Sequence, residues 1–306
     1  MDSLEGCLEA CPTVMEANPD SVRNRGSALL ARAGAILKAA GVDSPALDAE
    51  LLLAAAAGVD RSKLLSGSHS LDERSIVRFE EFIARRAARE PVAYIVGRKE
   101  FYGLDFEVTP DVLIPRPETE LLVETALEFL AHRPQAAVLD LGTGSGAIAI
   151  AIAVNARGVG VIATDISTAA LALAQRNAER LGCAQRVEFA AGDCWAALPC
   201  SHPKFDLILS NPPYIPADEV ARLQPEVARF EPEIALSGGK DGLEFYRRIA
   251  REVSSHLTAG GEMIVEVGAG QAAAVALALS DCGCRVLDVL RDLDGHERVV
   301  RARLAA

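Results

Sequence analysis

The sequence predicts an α/β protein: a doubly wound, mostly parallel sheet preceded by a small helical domain. Three observations carry that expectation. From about residue 137 onward, short apolar runs of strand length alternate with runs of helical period, the pattern of a parallel sheet with crossover helices. The first of those strands runs straight into a glycine-rich turn that opens a helix. The first 90 residues instead repeat apolar positions at helical spacing.

Taken in order, residues 1–26 show no clear period, contain Pro12, Pro19 and Gly26, and are expected to form a poorly ordered extension. Residues 27–90 are read as the helical domain. Leu29, Leu30, Ala33, Ile36 and Leu37 share one helix face, and Gly41 ends that run. Ser44-Pro45 opens a second helix with Leu47, Leu51, Leu52 and Leu53 apolar, closed by Gly58. A third runs from about Leu71 to Glu90, with Ile76, Phe79, Ile83 and Ala87 on one side. Arg85, Arg86 and Arg89 are expected on a solvated face, as charge runs usually are. Residues 91–117 are read as a β-hairpin linker, because Tyr94, Ile95 and Val96 and then residues 101–108 place β-branched and aromatic side chains around a Gly-Leu-Asp break. Pro117 suits a first helical turn, and Glu118, Glu120 and Glu124 suit the positive end of a helix.

The remainder, 118–306, carries the alternation. Strands are expected at 137–141, 161–164, 186–190, 205–210, 261–267, 285–290 and 297–303, with helices at 147–155, 168–181, 243–257 and 271–280. No helix separates the last two strands, so that pair is expected to be antiparallel.

Composition narrows the function classes. The chain has 306 residues, 50% of them hydrophobic, with a net charge of −12, which argues against a generic nucleic-acid binder. No secretory signal and no apolar run of membrane-spanning length stands out. Seven cysteines are scattered without a C-x-x-C pair, which fits reduced thiols in the cytoplasm, and Cys282-Gly283-Cys284 lacks the further ligands a metal site needs. No metal is expected. The five histidines, His69, His132, His202, His256 and His296, fall in no motif and are read as surface residues.

Two stretches carry chemistry. Gly142-Thr143-Gly144-Ser145-Gly146 follows the strand Val138 to Leu141 and lets a ligand approach the backbone closely. With Ala147 it satisfies a dinucleotide fingerprint, and its alternate glycines equally form an S-adenosylmethionine loop, so the spacing leaves both open. Asp165, at the end of the next strand, can accept hydrogen bonds from a ribose diol. Asp193 is placed to bond an adenine amino group, with Cys194 and Trp195 as candidates for lining the ring. The second stretch is Asn211-Pro212-Pro213-Tyr214, where an apolar strand, Phe205 to Ser210, ends in two prolines. Hydride transfer has no use for this tetrapeptide. A planar NH2 nitrogen does, because the Asn211 side-chain oxygen and the Pro212 carbonyl can accept both its hydrogens while Tyr214 packs against the planar group. Glu266 and Glu118 are read as capping or turn-bonding acids.

The segments 101–104, 114–120, 140–146, 211–216, 230–232 and 238–243 together resemble the release-factor glutamine methyltransferases, and the similarity runs in unbroken order over about residues 27–304. The resemblance implies a seven-stranded, Rossmann-like S-adenosylmethionine-dependent domain preceded by a helical domain that helps grip the substrate. It implies methyl transfer to the glutamine amide in the Gly-Gly-Gln loop of class 1 peptide-chain release factors, with S-adenosylhomocysteine as the product. It places the cofactor glycines at Gly142 to Gly146, the ribose acid at Asp165, and the substrate tetrapeptide at Asn211, Pro212, Pro213 and Tyr214. Phe101 and Arg116 fall at positions near the family's active site. At the position after the third-strand Asp, where the family often carries an aromatic or Leu, this chain has Cys194. A monomer that binds no nucleic acid directly is expected. The alternative is an adenine-N6 or guanine-N2 methyltransferase acting on DNA or RNA; a nicotinamide-dependent oxidoreductase and a non-catalytic binding protein are the further readings.

Overall fold

The computed structural model describes residues 19–66, 71–198 and 201–305. The chain divides into two compact units after Val92.

The first unit is helical: α1 (Pro19–Ala39), α2 (Pro45–Ala57), α3 (Arg61–Leu65) and α4 (Glu73–Ala87). Leu37, Leu52, Leu53 and Phe79 are among its fully buried side chains. Gly58 ends α2 in the left-handed conformation that a residue with a Cβ adopts only at a cost. Two expectations are corrected here. Residues 1–18 lie outside the described residues, but α1 begins at Pro19, well before the expected Ser27, so Gly26 sits inside a helix. Arg86 does not lie on a solvated face: it is buried and its Nε donates to Asp48 at 2.7 Å. Arg89 donates to the Gly41 carbonyl at 2.7 Å. A run of arginines gives no local sign that one of them has a buried acid on another helix.

The second unit opens with α5 (Val92–Val96) and the hairpin β1 (Arg98–Phe101) and β2 (Leu104–Glu107). The expected strand residues Tyr94, Ile95 and Val96 are helical, and the turn is Tyr102-Gly103 rather than Gly-Leu-Asp. Both turn residues have positive φ, 51° and 71°, the geometry that suits the twist of a two-residue hairpin. A single 3₁₀ turn at Pro117–Thr119 leads into α6 (Glu120–Leu130).

The seven-stranded sheet consists of β3 (Ala137–Leu141), β4 (Gly160–Asp165), β5 (Val187–Ala191), β6 (Phe205–Ser210), β7 (Leu257–Glu266), β8 (Cys284–Arg291) and β9 (Glu297–Leu304). Its order is β5-β4-β3-β6-β7-β9-β8. β5, β4, β3, β6 and β7 pair in parallel, while β9 is antiparallel to both β7 and β8, as the missing helix between the last two strands implied. Helices α7 (Ala147–Asn155), α8 (Thr168–Arg180), α9 (Pro225–Phe230), α10 (Glu244–His256) and α11 (Ala272–Asp281) complete the unit. One core, around Leu122, Ile150, Leu207 and Phe106, gathers α6, α7 and the hairpin; the other, around Ile208, Met263, Val253 and Leu279, gathers α10 and α11. Residues lie under both faces, which is why the parallel strands read as continuous apolar runs.

Strand order reverses between β3 and β6. Leu141 pairs with Ser210 at their carboxyl ends, and the Ser210 hydroxyl donates to the Leu141 carbonyl at 2.8 Å. In open α/β sheets the crevice outside such a switch point is where ligands bind. The glycine turn leaves from one of these strands and the tetrapeptide from the other. Among the described residues no helix is long and apolar enough to cross a membrane.

Candidate functional site

A cavity of about 450 Å³ opens at this edge, within the range of small-molecule sites. Gly142, Thr143, Gly144, Ser145, Asp165, Asp193, Cys194, Asn211, Pro213 and Arg116 all line it, so residues from five places in the chain converge.

The glycine turn is tied down on one side only. Gly142 and Thr143 donate to the Thr164 carbonyl at 2.9 Å, and Gly144 donates to Asp165 Oδ2 at 2.8 Å. Gly142 and Gly144 have φ of 74° and 56°, and a Cβ built on either would meet no protein atom within 4 Å. Their outer face is therefore open, which is the condition for a ligand to lie against the backbone. Gly146 differs: a Cβ there would stand 2.8 Å from Ile150 and 3.1 Å from Ala174, so it is needed for α7 to pack on α8 and does not line the cavity. Beneath the turn, Asp140 is completely buried. Its Oδ2 accepts the Thr143 hydroxyl at 2.6 Å, its Oδ1 has no hydrogen-bond partner among the described residues, and burial pushes its carboxyl up to about 7.

Asp165 also accepts from the Ser167 N–H at 2.9 Å, so both of its oxygens are held by backbone donors at the cavity wall. Burial raises its pKa, and the backbone bonds oppose that rise. Asp193 is half-exposed and bonded to Arg248 at 2.6 Å. Cys194 lines the cavity with φ of 53°, and burial pushes its thiol up to about 11, so it is a small apolar wall rather than a nucleophile. Trp195 does not reach the cavity. Its ring stacks on His256 at 4.2 Å and its Nε1 donates to the Arg248 carbonyl at 3.2 Å. His256 in turn bonds His202 at 3.1 Å, so these two histidines are half-buried rather than simply on the surface. His69 lies outside the described residues.

At the end of β6, Asn211 lines the cavity and its Nδ2 donates to the Thr119 hydroxyl at 3.1 Å. Pro213 lines it as well; Pro212 is buried and Tyr214 packs into the core beside α10. A second glycine-rich segment holds this turn. Gly238 donates to the Ile215 carbonyl at 2.8 Å and Ile215 donates to the Leu236 carbonyl at 2.9 Å. A Cβ on Gly238 would stand 2.7 Å from the Pro213 carbonyl oxygen, and one on Gly242 2.2 Å from that of Tyr214. Gln271 Nε2 donates to the same Tyr214 carbonyl at 2.9 Å.

Arg116 reaches the cavity, and one guanidinium nitrogen grips both oxygens of buried Glu231 at 2.6 and 2.8 Å. This ion pair ties the 114–117 segment to the 230–232 segment. Phe101 is 1% exposed, packs edge-on against Phe106 at 6.1 Å, and does not reach the cavity. Glu266 is neither a helix cap nor a turn acid: it ends β7, 2% exposed, behind Asn211 and Thr119.

Three residues here were not singled out from the sequence: Thr119, Gln271 and Asn177. Asn177 is fully buried on α8. It donates to the Ser145 and Glu107 carbonyls at 2.9 and 3.0 Å and accepts from the Glu107 N–H at 2.8 Å, which locks the glycine turn to the hairpin. Its one visible mark is a lone polar residue on an otherwise alanine- and leucine-rich helix face. Among the described residues no cluster of three or more His, Cys, Asp or Glu could hold a metal ion.

Comparison with known proteins bears on this site. Residues 28–97 match the family model described as PrmC N-terminal domain, and residues 117–225 match the Methyltransferase small domain. A protein of Cereibacter sphaeroides named release factor glutamine methyltransferase is 49% identical over 88% of this chain and 95% of its own length. One of the same name from Geobacter sulfurreducens is 45% identical over 86% of this chain and 91% of its own. Among solved structures, a methyltransferase from Pyrococcus furiosus superposes with a TM-score of 0.50 at 21% identity, covering 74% of this chain and 98% of its own. The hMettl16 catalytic domain, solved in complex with the MAT2A 3'UTR hairpin 6, gives a TM-score of 0.53 at 16% identity, over 74% of this chain and 82% of its own. At such identities these two likenesses are of fold alone.

Proposed function

This chain belongs to the release factor glutamine methyltransferases, and from that membership we propose that it methylates the side-chain amide nitrogen of the glutamine in the Gly-Gly-Gln loop of class 1 peptide-chain release factors. The observation that supports this most is the shared cavity: the open glycine turn and the strand-end Asn211 line one space on neighbouring strands. S-adenosylmethionine supplies a sulfonium-bound methyl group there. The donor set fits it. Gly142 and Gly144 leave backbone accessible, Asp165 keeps lone pairs for a ribose diol, Cys194 offers an apolar wall for the adenine, and Asp193 accepts from its amino group once it shares or leaves Arg248. Gly146, Thr143 and Ser145 shape the turn.

A glutamine amide is a weak nucleophile because its lone pair is delocalised into the carbonyl. Asn211 Oδ1 and the Pro212 carbonyl accept its two hydrogens, hold the nitrogen in place and favour the geometry in which its lone pair points out of the amide plane. Pro213 and Tyr214 stiffen that turn, and Tyr214 forms part of the wall once the substrate enters. No strong base is required, since the proton can leave to water after transfer. Arg116 borders the substrate side of the cavity, fixed by Glu231. Phe101 supports this region from the core.

The helical residues 27–90 form the recognition domain for the release factor, residues 91–117 the linking hairpin, and 118–306 the catalytic domain. The enzyme acts as a monomer in the cytoplasm and makes no direct contact with nucleic acid. Methyl-labelled S-adenosylmethionine incubated with purified release factor should label the intact factor and leave one with Gln→Ala in the Gly-Gly-Gln loop unlabelled. Label on DNA or RNA instead would overturn the reading in favour of the base-methylating alternative.

A further inference from the structure

Thr119 immediately precedes α6, the position from which a threonine usually caps the first turn, yet its side chain makes no capping bond. It is 4% exposed, and its hydroxyl is committed elsewhere. Its oxygen accepts Asn211 Nδ2–H at 3.1 Å, and it hydrogen-bonds the Glu266 carboxyl. Glu266 is buried, and its Oε2 has no hydrogen-bond partner among the described residues.

The order of donors in this chain is forced. An ionised carboxylate only accepts, and a hydroxyl has one proton. Thr119 gives that proton to Glu266, so toward Asn211 it can only accept. Asn211 must then turn its NH2 to Thr119, which leaves Oδ1 for the cavity. With the amide reversed, Oδ1 would face an oxygen with no hydrogen to offer and the NH2 would face the substrate amide hydrogens. We propose that Thr119 and Glu266 are positioning residues that hold Asn211 with its carbonyl end toward the substrate. This rests on the reading of Asn211 as the acceptor of the substrate amide.

The arrangement also responds to pH. Burial pushes the Glu266 carboxyl up to about 7, against the Thr119 hydrogen bond and the nearby Arg298 and Arg116, while Glu118 acts with the burial. Tyr214 also faces it, and Tyr246 donates to its backbone carbonyl at 2.9 Å. Once protonated, the carboxyl can donate to Thr119, whose own proton is then free to turn to Asn211, and either amide orientation is satisfied.

The test compares Thr119→Val, Thr119→Ser and Glu266→Gln with wild type at saturating cofactor and release factor. Thr119→Val keeps the shape without the hydroxyl; its kcat should fall about tenfold with cofactor affinity by calorimetry unchanged, the scale of one mis-set hydrogen bond. Thr119→Ser should recover most of that loss. Wild-type kcat should decline as pH drops through about 7, and Glu266→Gln should lose that inflection. A Thr119→Val enzyme within twofold of wild type overturns the proposal, as does a serine variant no better than valine, or a kcat loss matched by lost cofactor affinity. Should the valine variant not fold, an inflection that persists unchanged in Glu266→Gln overturns it. Failure of wild type to label the release factor would instead strike the reading of the substrate.

Discussion

Two glycine-rich turns border the same cavity and use glycine for opposite reasons. Both adopt left-handed φ: 74° and 56° at Gly142 and Gly144, 83° and 73° at Gly239 and Gly242. At Gly142 and Gly144 a Cβ would find open space; at the second turn a Cβ on Gly238 or Gly242 would strike the backbone of Pro213 or Tyr214, and one on Gly239 the Glu244 side chain. The first turn leaves room for a ligand. The second leaves room for the chain itself, and in doing so presses the tetrapeptide into one conformation. Glycines of like backbone conformation can thus serve binding or positioning, and what distinguishes them is the occupant of the missing side chain's place.

Substitutions on each side of that contrast should separate in what they damage. The largest effect is expected where the second turn delivers its side chain. Asn211→Ala should lower turnover by about 10²–10³-fold, the scale of one lost positioned polar group, while calorimetry finds cofactor affinity nearly unchanged. A collapse of cofactor affinity with normal turnover per bound cofactor would contradict that division. Gly242→Ala should come next: the tetrapeptide must shift, and displacements near 1 Å cost about a hundredfold in rate. Steady-state kinetics on the folded variant should show the loss in kcat. Gly144→Ala meets no protein atom, so its backbone strain of about 1–2 kcal/mol should appear as a modestly lower melting temperature. Its main readout should be weaker cofactor binding, because the new methyl occupies ligand space; a variant that bound cofactor as tightly as wild type would erase the contrast. The smallest change is expected from Gln271→Leu, which removes one donor to the Tyr214 carbonyl. About 1 kcal/mol is at stake, visible as a few-fold drop in turnover.

The glycine turn after β3 and the tetrapeptide after β6 could be found in the sequence because their physical demands are local. A strand that must stop at once shows two prolines, and a turn that must admit a ligand shows alternate glycines. The sheet was legible for a similar reason, since strands covered on both faces have no polar side to interrupt them. What escaped were pairings between side chains far apart along the chain. Thr119 meets Asn211 across 92 residues, Arg116 meets Glu231 across 115, and Asn177 meets Glu107 across 70. Apart from Asn177, a lone polar residue on an apolar helix face, none leaves a periodic or compositional trace. Arg86 was misplaced on the surface because nothing near it announces Asp48, 38 residues away. Phe101 and Trp195 show the converse. The family resemblance put Phe101, and proximity to Asp193 put Trp195, beside the ligand, but Phe101 is buried against Phe106 and the Trp195 indole is stacked on His256 instead.

The stacked indole has a practical consequence. Trp195 is the chain's one tryptophan, so the intrinsic emission of the protein at indole wavelengths comes from a single place. That place adjoins Cys194 at the cavity wall on one side and lies against the His256 imidazole on the other. Burial and the neighbouring His202 hold His256 below the usual histidine range, so at neutral pH the ring beside the indole is uncharged and a poor quencher. The molecule thereby carries its own fluorophore, expected to dim on acidification as His256 gains a proton and to shift as the neighbouring cavity fills. A titration of cofactor into unlabelled enzyme can be followed by light alone.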